Sequence, residues 1–167
     1  MITVQNLLAE HPFLAGLNER QLDRLSAWAH RAPLHAERRI FEEGGRADRF
    51  WLIRSGLVEL HAVVPGRGRV PVETLGPGSV LGWSWMFPPY RWHFGATAVE
   101  PALTVELKAA GVRRICTEDP VLGLDLTRRF MAVVVDRLQN TRLRLVDLHV
   151  AEKADGPCGP RVAASRP

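Results

Sequence analysis

The residues best equipped for chemistry in this chain are crowded into one stretch. Between Gly76 and Thr97 stand Trp83, Ser84, Trp85, Met86, Phe87, Tyr90, Arg91, Trp92, His93 and Phe94, and the stretch holds half of the chain's aromatic side chains. Aromatic faces stack on planar ligands, and Arg91 and His93 beside them offer a guanidinium and an imidazole to an anion. This set suits a pocket for a planar, apolar or weakly anionic molecule: a modified nucleotide, an aromatic acid, or haem with His93 and Met86 as available axial ligands. The same residues are equally consistent with a plug of buried Trp and Phe sealing one end of a barrel. Ser84, His93 and Asp119 also supply the groups of a hydrolytic triad. No nucleophile elbow, carboxylate pair or phosphate-cradling glycine loop surrounds them, so no enzymatic activity is expected. His11, His30, His35, His61 and His149 are scattered singly, as surface or structural histidines usually are.

The backbone must hold this stretch on a loop or a short helical turn. Gly76, Gly78 and Gly82 permit tight turns and close approach, and Pro88-Pro89 stops both helix and strand. Upstream, an amphipathic helix is expected over 3–9. Asn18 then caps a second helix over 19–29, whose Leu22, Leu25, Trp28 and Ala29 form one apolar face. From Ala32 to Leu107, short β-branched and aromatic runs alternate with Gly, Pro and charged punctuation. Strands are expected near 32–35, 39–41, 49–54, 57–64, 69–75, 80–81, 94–99 and 103–107, the texture of an antiparallel sandwich or jelly roll.

Helical spacing returns after Leu107, first in a short helix over 108–117 that carries Gly111. A long helix then starts at Asp119-Pro120, with proline in its first turn. Within it Leu124, Thr127, Met131, Val134, Leu138, Thr141, Leu145 and Leu148 alternate spacings of three and four, a heptad seam for a second copy of the chain. Leu122, Leu126, Phe130 and Val133 form a second stripe, so the first half can also cover the β-domain. The alternative is that the whole helix lies along its own barrel. Residues 151–167 lack periodicity and read as a disordered tail after a β-domain over 1–118 and a helix over 119–150.

Composition narrows the function further. The 22 basic and 18 acidic residues leave a net charge of +4, spread along the chain rather than gathered in a block. Cys116 and Cys158 have neither disulfide-framework nor zinc-site spacing. No signal peptide and no run of about 18 apolar residues is present, which points to a reduced, cytoplasmic setting without a membrane partner.

The run Glu43-Gly44-Gly45-Arg46-Ala47-Asp48-Arg49-Phe50-Trp51-Leu52-Ile53-Arg54-Ser55-Gly56-Leu57-Val58-Glu59-Leu60 resembles the cyclic-nucleotide-binding domain of the Crp/Fnr type. Leu75-Gly76-Pro77-Gly78-Ser79-Val80-Leu81-Gly82 is similar to the turn leading into that family's phosphate-binding cassette. The resemblance covers roughly residues 10 to 150 and implies a jelly roll with N-terminal helices and a long C-terminal dimerisation helix. Gly44, Gly56 and Gly78 fall where such a roll must turn sharply.

In ligand-binding members, a glutamate after Gly82 takes the ribose hydroxyl, and an arginine before a small-x-Thr stretch pairs with the cyclic phosphate. Here Trp83 stands at the first place. With Gly95-Ala96-Thr97 aligned on that stretch, Phe94 stands at the second. Binding of cAMP in the usual way is therefore not expected, although Arg91 and His93 lie near enough in sequence to serve the anion. The expected protein is a non-enzymatic, homodimeric sensor or regulatory domain. Its candidate ligand residues are Gly82, Trp83, Ser84, Trp85, Arg91, Trp92, His93, Phe94, Ala96 and Thr97, and its seam is Leu124, Met131, Val134, Leu138, Leu145 and Leu148. No cofactor is required; the partners are a small-molecule effector and a protein. An iron–sulfur centre is not expected without the N-terminal cysteine cluster of oxygen-sensing relatives. DNA binding by the chain itself is not expected without a helix-turn-helix after the long helix, and regulation of transcription through another protein is the alternative.

Overall fold

Local side-chain chemistry starts the first two helices where the sequence places them. In α1 (Val4–Ala9) Thr3 and Asn6 form a reciprocal capping box, and in α2 (Glu19–Ser26) Asn18 and Gln21 do the same. These elements belong to a computed structural model that describes residues 2–154. Helix α2 ends at Ser26 rather than at Ala29, and β1 (Ala29–Leu34) begins earlier than expected. Trp28 and Ala29 have helical spacing, but sheet pairing captures the backbone. The carbonyl of Trp28 accepts from Lys108 N–H at 3.0 Å, and Ala29 pairs with Leu107. The Trp28 indole instead lies on Gly111, where a Cβ would come 1.9 Å from it. That close approach explains a glycine that the helix would otherwise disfavour.

The strands that follow are β2 (Arg39–Phe41), β3 (Arg49–Ser55), β4 (Val58–Val64), β5 (Gly68–Leu75), β6 (Val80–Leu81), β7 (Gly95–Ala98) and β8 (Ala102–Lys108). They form two four-stranded antiparallel sheets in the orders β1-β8-β3-β6 and β2-β7-β4-β5, the expected jelly roll. The expected sharp turns at Gly44, Gly56 and Gly78 have φ of +77°, +81° and +84°. Gly56 is required twice over, since a Cβ there would also meet the Pro101 carbonyl at 2.3 Å.

Both faces of β3 are covered. Phe50 faces the helices, where Phe13, Trp85 and Phe130 close around it with ring centroids 4.7–5.3 Å apart. Trp51 faces the opposite sheet and stacks on Phe41 at 5.5 Å. The roll is followed by α3 (Ala109–Glu118) and α4 (Pro120–Ala154). Asp119 Oδ1 accepts from Leu122 N–H and so caps the start of α4. The helix runs past the expected end at 150, and the tail expected beyond it falls outside the described residues after Ala154.

The chain divides into two compact units, Met1–Phe130 and Met131–Pro167. In the first, Leu122, Leu126 and Phe130 of the expected second stripe are buried. Arg129 Nη1 donates to the Phe13 carbonyl at 2.8 Å. In the second, Met131, Leu138, Leu145 and Leu148 of the seam are exposed on the single chain and Val134 is half-buried; Leu124, in the first unit, is exposed. Among the described residues no helix is long and apolar enough to cross a membrane.

Candidate functional site

The Gly76–Thr97 stretch leaves β5, runs through β6, makes a 3-10 turn over Ser84–Met86, and returns into β7. Its aromatics part into three groups. Trp85 is buried and stacks on Phe50 at 5.1 Å, with Phe130 edge-on at 5.3 Å. Trp92 is buried in the other direction, stacked on Phe41 at 3.9 Å and tilted against Trp51 at 6.0 Å. Both indoles are packing elements, as the plug reading requires. Trp83 remains half-buried and lies parallel to the His93 ring at 5.4 Å.

His93 is exposed, and its Nδ1 shares a hydrogen bond with the buried Ser84 hydroxyl at 3.0 Å. Trp83, Ser84 and His93 are thus brought together. Asp119 is not, because it caps α4 and pairs with Arg24 at 3.4 Å. Arg91 also points elsewhere. Its Nη1 donates to the Gly44 carbonyl at 2.8 Å, and its backbone bridges to Arg46, which ties the stretch to the turn between β2 and β3. Phe94 is half-buried, Ala96 is buried opposite Leu60, and Thr97 lies between Arg39 and Glu59 in the β2-β7-β4 register. Two buried polar atoms here, Thr97 Oγ1 and Trp85 Nε1, have no hydrogen-bond partner among the described residues.

Three residues acquire a place here that sequence spacing did not reveal. His61 is buried across from Gly95, where a Cβ would fall 2.3 Å from its Nε2, so only glycine admits the ring. Burial, aided by the Arg69 charge, holds this imidazole below its usual pKa. Arg113 of α3 donates to the Trp85 carbonyl at 2.9 Å and lies 4.8 Å over the Tyr90 ring, so it clamps the stretch to the helix behind it. Glu106 of β8 is buried beneath Arg49 and Trp51. Each contact joins segments remote in sequence, so no local motif announces it.

A jelly roll whose chain turns at Gly82 into the loop between β6 and β7, followed by a short and a long helix, is the architecture of a cyclic nucleotide-binding-like domain. The chain belongs to the cyclic nucleotide-binding domain family, whose model matches residues 32–119. A cyclic nucleotide-binding protein from Geobacter metallireducens GS-15 has a similar structure at a TM-score of 0.72 and 28% identity, with 83% of this chain and 99% of that one covered. A cyclic nucleotide-binding-like protein from Brucella abortus is also 28% identical, at a TM-score of 0.55 over 68% of this chain and 97% of its own. The catabolite activator protein of Thermus thermophilus shares the fold at a TM-score of 0.66 and 22% identity, over 83% of this chain and 63% of its own. No curated protein matches the chain.

Proposed function

We propose that this chain is a homodimeric, non-enzymatic sensor or regulatory domain whose cassette takes an effector other than cAMP bound in the usual way. The observation that carries the reading is the Trp83–His93 ring pair at 5.4 Å in the loop after Gly82. The resemblance aligns Trp83 with the ribose-binding glutamate and Phe94 with the phosphate-binding arginine of ligand-binding members. Arg91, the nearest substitute for that arginine, is held on the Gly44 carbonyl. A phosphodiester moved into such a site leaves its solvation behind without a paired cation, which is costly. A small planar effector has better complements here: the Trp83–His93 face and the Ser84 hydroxyl bonded to it. Arg113 links this loop to α3 and supplies a route by which occupancy would be felt in the helices.

Dimerisation through α4 rests on the heptad spacing of the seam and the exposure of its apolar residues on one chain. The test is thermal shift with cAMP and cGMP on the parent and on the Trp83→Glu/Phe94→Arg double variant. No shift in the parent and a cAMP shift in the double variant are expected; a clear shift in the parent overturns the reading.

A further inference from the structure

A second, differently built cavity lies outside the cassette. A cleft of about 340 Å³ opens between β2 of one sheet and β1, β3 and β8 of the other, with Phe41, Trp51 and Trp92 at its floor and Arg38, Arg46 and Arg49 around it. Small-molecule sites begin at about 300 Å³, so the space admits an ion carrying a small organic body.

The charges in this cleft are unevenly matched. Arg49 is neutralised, its Nε on Asp48 Oδ1 at 2.8 Å and its Nη1 on Glu106 Oε1 at 3.0 Å. Glu106 also accepts from the Trp51 indole N–H at 3.0 Å, so its two oxygens are committed. The hydrogen bond to Arg49 holds the Asp48 carboxyl below its usual pKa, and Asp48 remains a firm anion bound to that partner. Arg38 and Arg46 line the same cleft, and no side-chain hydrogen bond or ion pair engages either one among the described residues. Arg91 adds a third guanidinium at the Gly44–Arg46 turn. Arg46 also acts electrostatically on the Asp48 carboxylate. The three arginines of the lining against Asp48 and Glu106 leave one positive charge in excess, and Arg91 at the rim adds another. An anion between Arg38 and Arg46 would neutralise that excess.

We infer that this cleft binds a compact dianion, held between Arg38 and Arg46 above the Arg49–Glu106–Trp51 floor. The chemistry is shared by a phosphomonoester and a dicarboxylate. This site is independent of the cassette's ligand, but the two are joined by Trp92, whose ring forms part of the floor and also lies against Gly82. Occupancy of the cleft would therefore press through Trp92 on Gly82, where the chain enters the cassette.

Isothermal titration in an uncharged buffer at low salt, with inorganic phosphate and succinate as separate probes, tests the site. At least one probe is expected to bind the parent and to lose about tenfold or more in affinity with Arg38→Ala/Arg46→Ala, the loss of a charge-assisted contact. Both arginines are exposed, so the variant should melt as the parent does, and Arg20→Ala on α2 should bind unchanged. Binding of phosphate alone assigns a phosphoryl ligand, and binding of succinate alone assigns a dicarboxylate. Failure of both probes at millimolar concentration, or binding insensitive to the double variant, overturns the inference.

Discussion

The indole of Trp92 lies across the α-carbon of Gly82. A Cβ at Gly82 would meet ring atoms Cζ3 and Cη2 at 2.8 and 2.9 Å, on a backbone with φ of +88°. Trp92 is in turn fixed by its 3.9 Å stack on Phe41, so the ring has little room to retreat. The turn at Gly82 and the inner aromatic cluster are therefore one packed unit.

Gly82→Ala should destabilise the fold by roughly 2–4 kcal/mol, combining left-handed backbone strain with overpacking against the indole. Urea denaturation measures it. A loss below about 0.5 kcal/mol, the range of neutral surface changes, would show that Trp92 is free to move aside.

Glu106→Ala should cost about 1–3 kcal/mol, because it strands the buried Trp51 N–H and removes one partner of Arg49. Glu106→Gln should cost less, since an amide oxygen can still accept from the indole. Equal urea midpoints for the two variants would contradict the role given to that hydrogen bond.

Stability should fall as pH drops below 6.5, the ordinary histidine value, through His11. Its Nε2 bonds the Ile53 carbonyl at 3.1 Å, and its Nδ1 accepts from Phe13 N–H at 3.3 Å, an arrangement that fits the neutral ring. Burial lowers its pKa in the folded protein; the Ile53 carbonyl opposes that shift and Arg54 adds to it. Below 6.5 the unfolded chain takes up a proton that the folded one resists. The stabilisation is thus complete above 6.5 and is lost as pH falls through the depressed folded value, at up to about 1.4 kcal/mol per pH unit. Urea midpoints at pH 8 and pH 5 should differ more in the parent than in His11→Gln; parallel profiles would count against His11.

If α4 pairs as proposed, the parent should sediment as a dimer and Leu138→Lys as a monomer, because a charge in a heptad core position opposes helix pairing. Leu138 is exposed in the isolated chain, so the β-domain should retain its melting temperature. An unchanged dimer would remove this part of α4 from the interface.

The positions of the strands and helices along the chain were readable because the signals that mark them are local. Capping residues began α1 and α2, and the glycines at 44, 56 and 78 occupy the left-handed turns expected of them. The end of α2 was misread because Trp28 and Ala29 keep helical spacing while β8 draws their backbone into a sheet. At the loop, composition marked the right stretch for attention but could not sort its aromatics. Trp85 and Trp92 have the same chemistry and opposite destinations, one under the helices and one between the sheets.

The sequence by itself determined the short strands of a β-roll, its helical flanks and the crowding of Trp, Phe, Arg91 and His93 into one stretch, since periodicity, turn chemistry and residue identity need no partner to be read. The tertiary structure alone decided that Arg91 turns to Gly44, that His61 covers Gly95, and that Glu106 comes beneath Trp51 and Arg49. Those are matters of register and face between segments many residues apart. A strand's own sequence states which residues alternate, but only its pairing with another strand states what they meet.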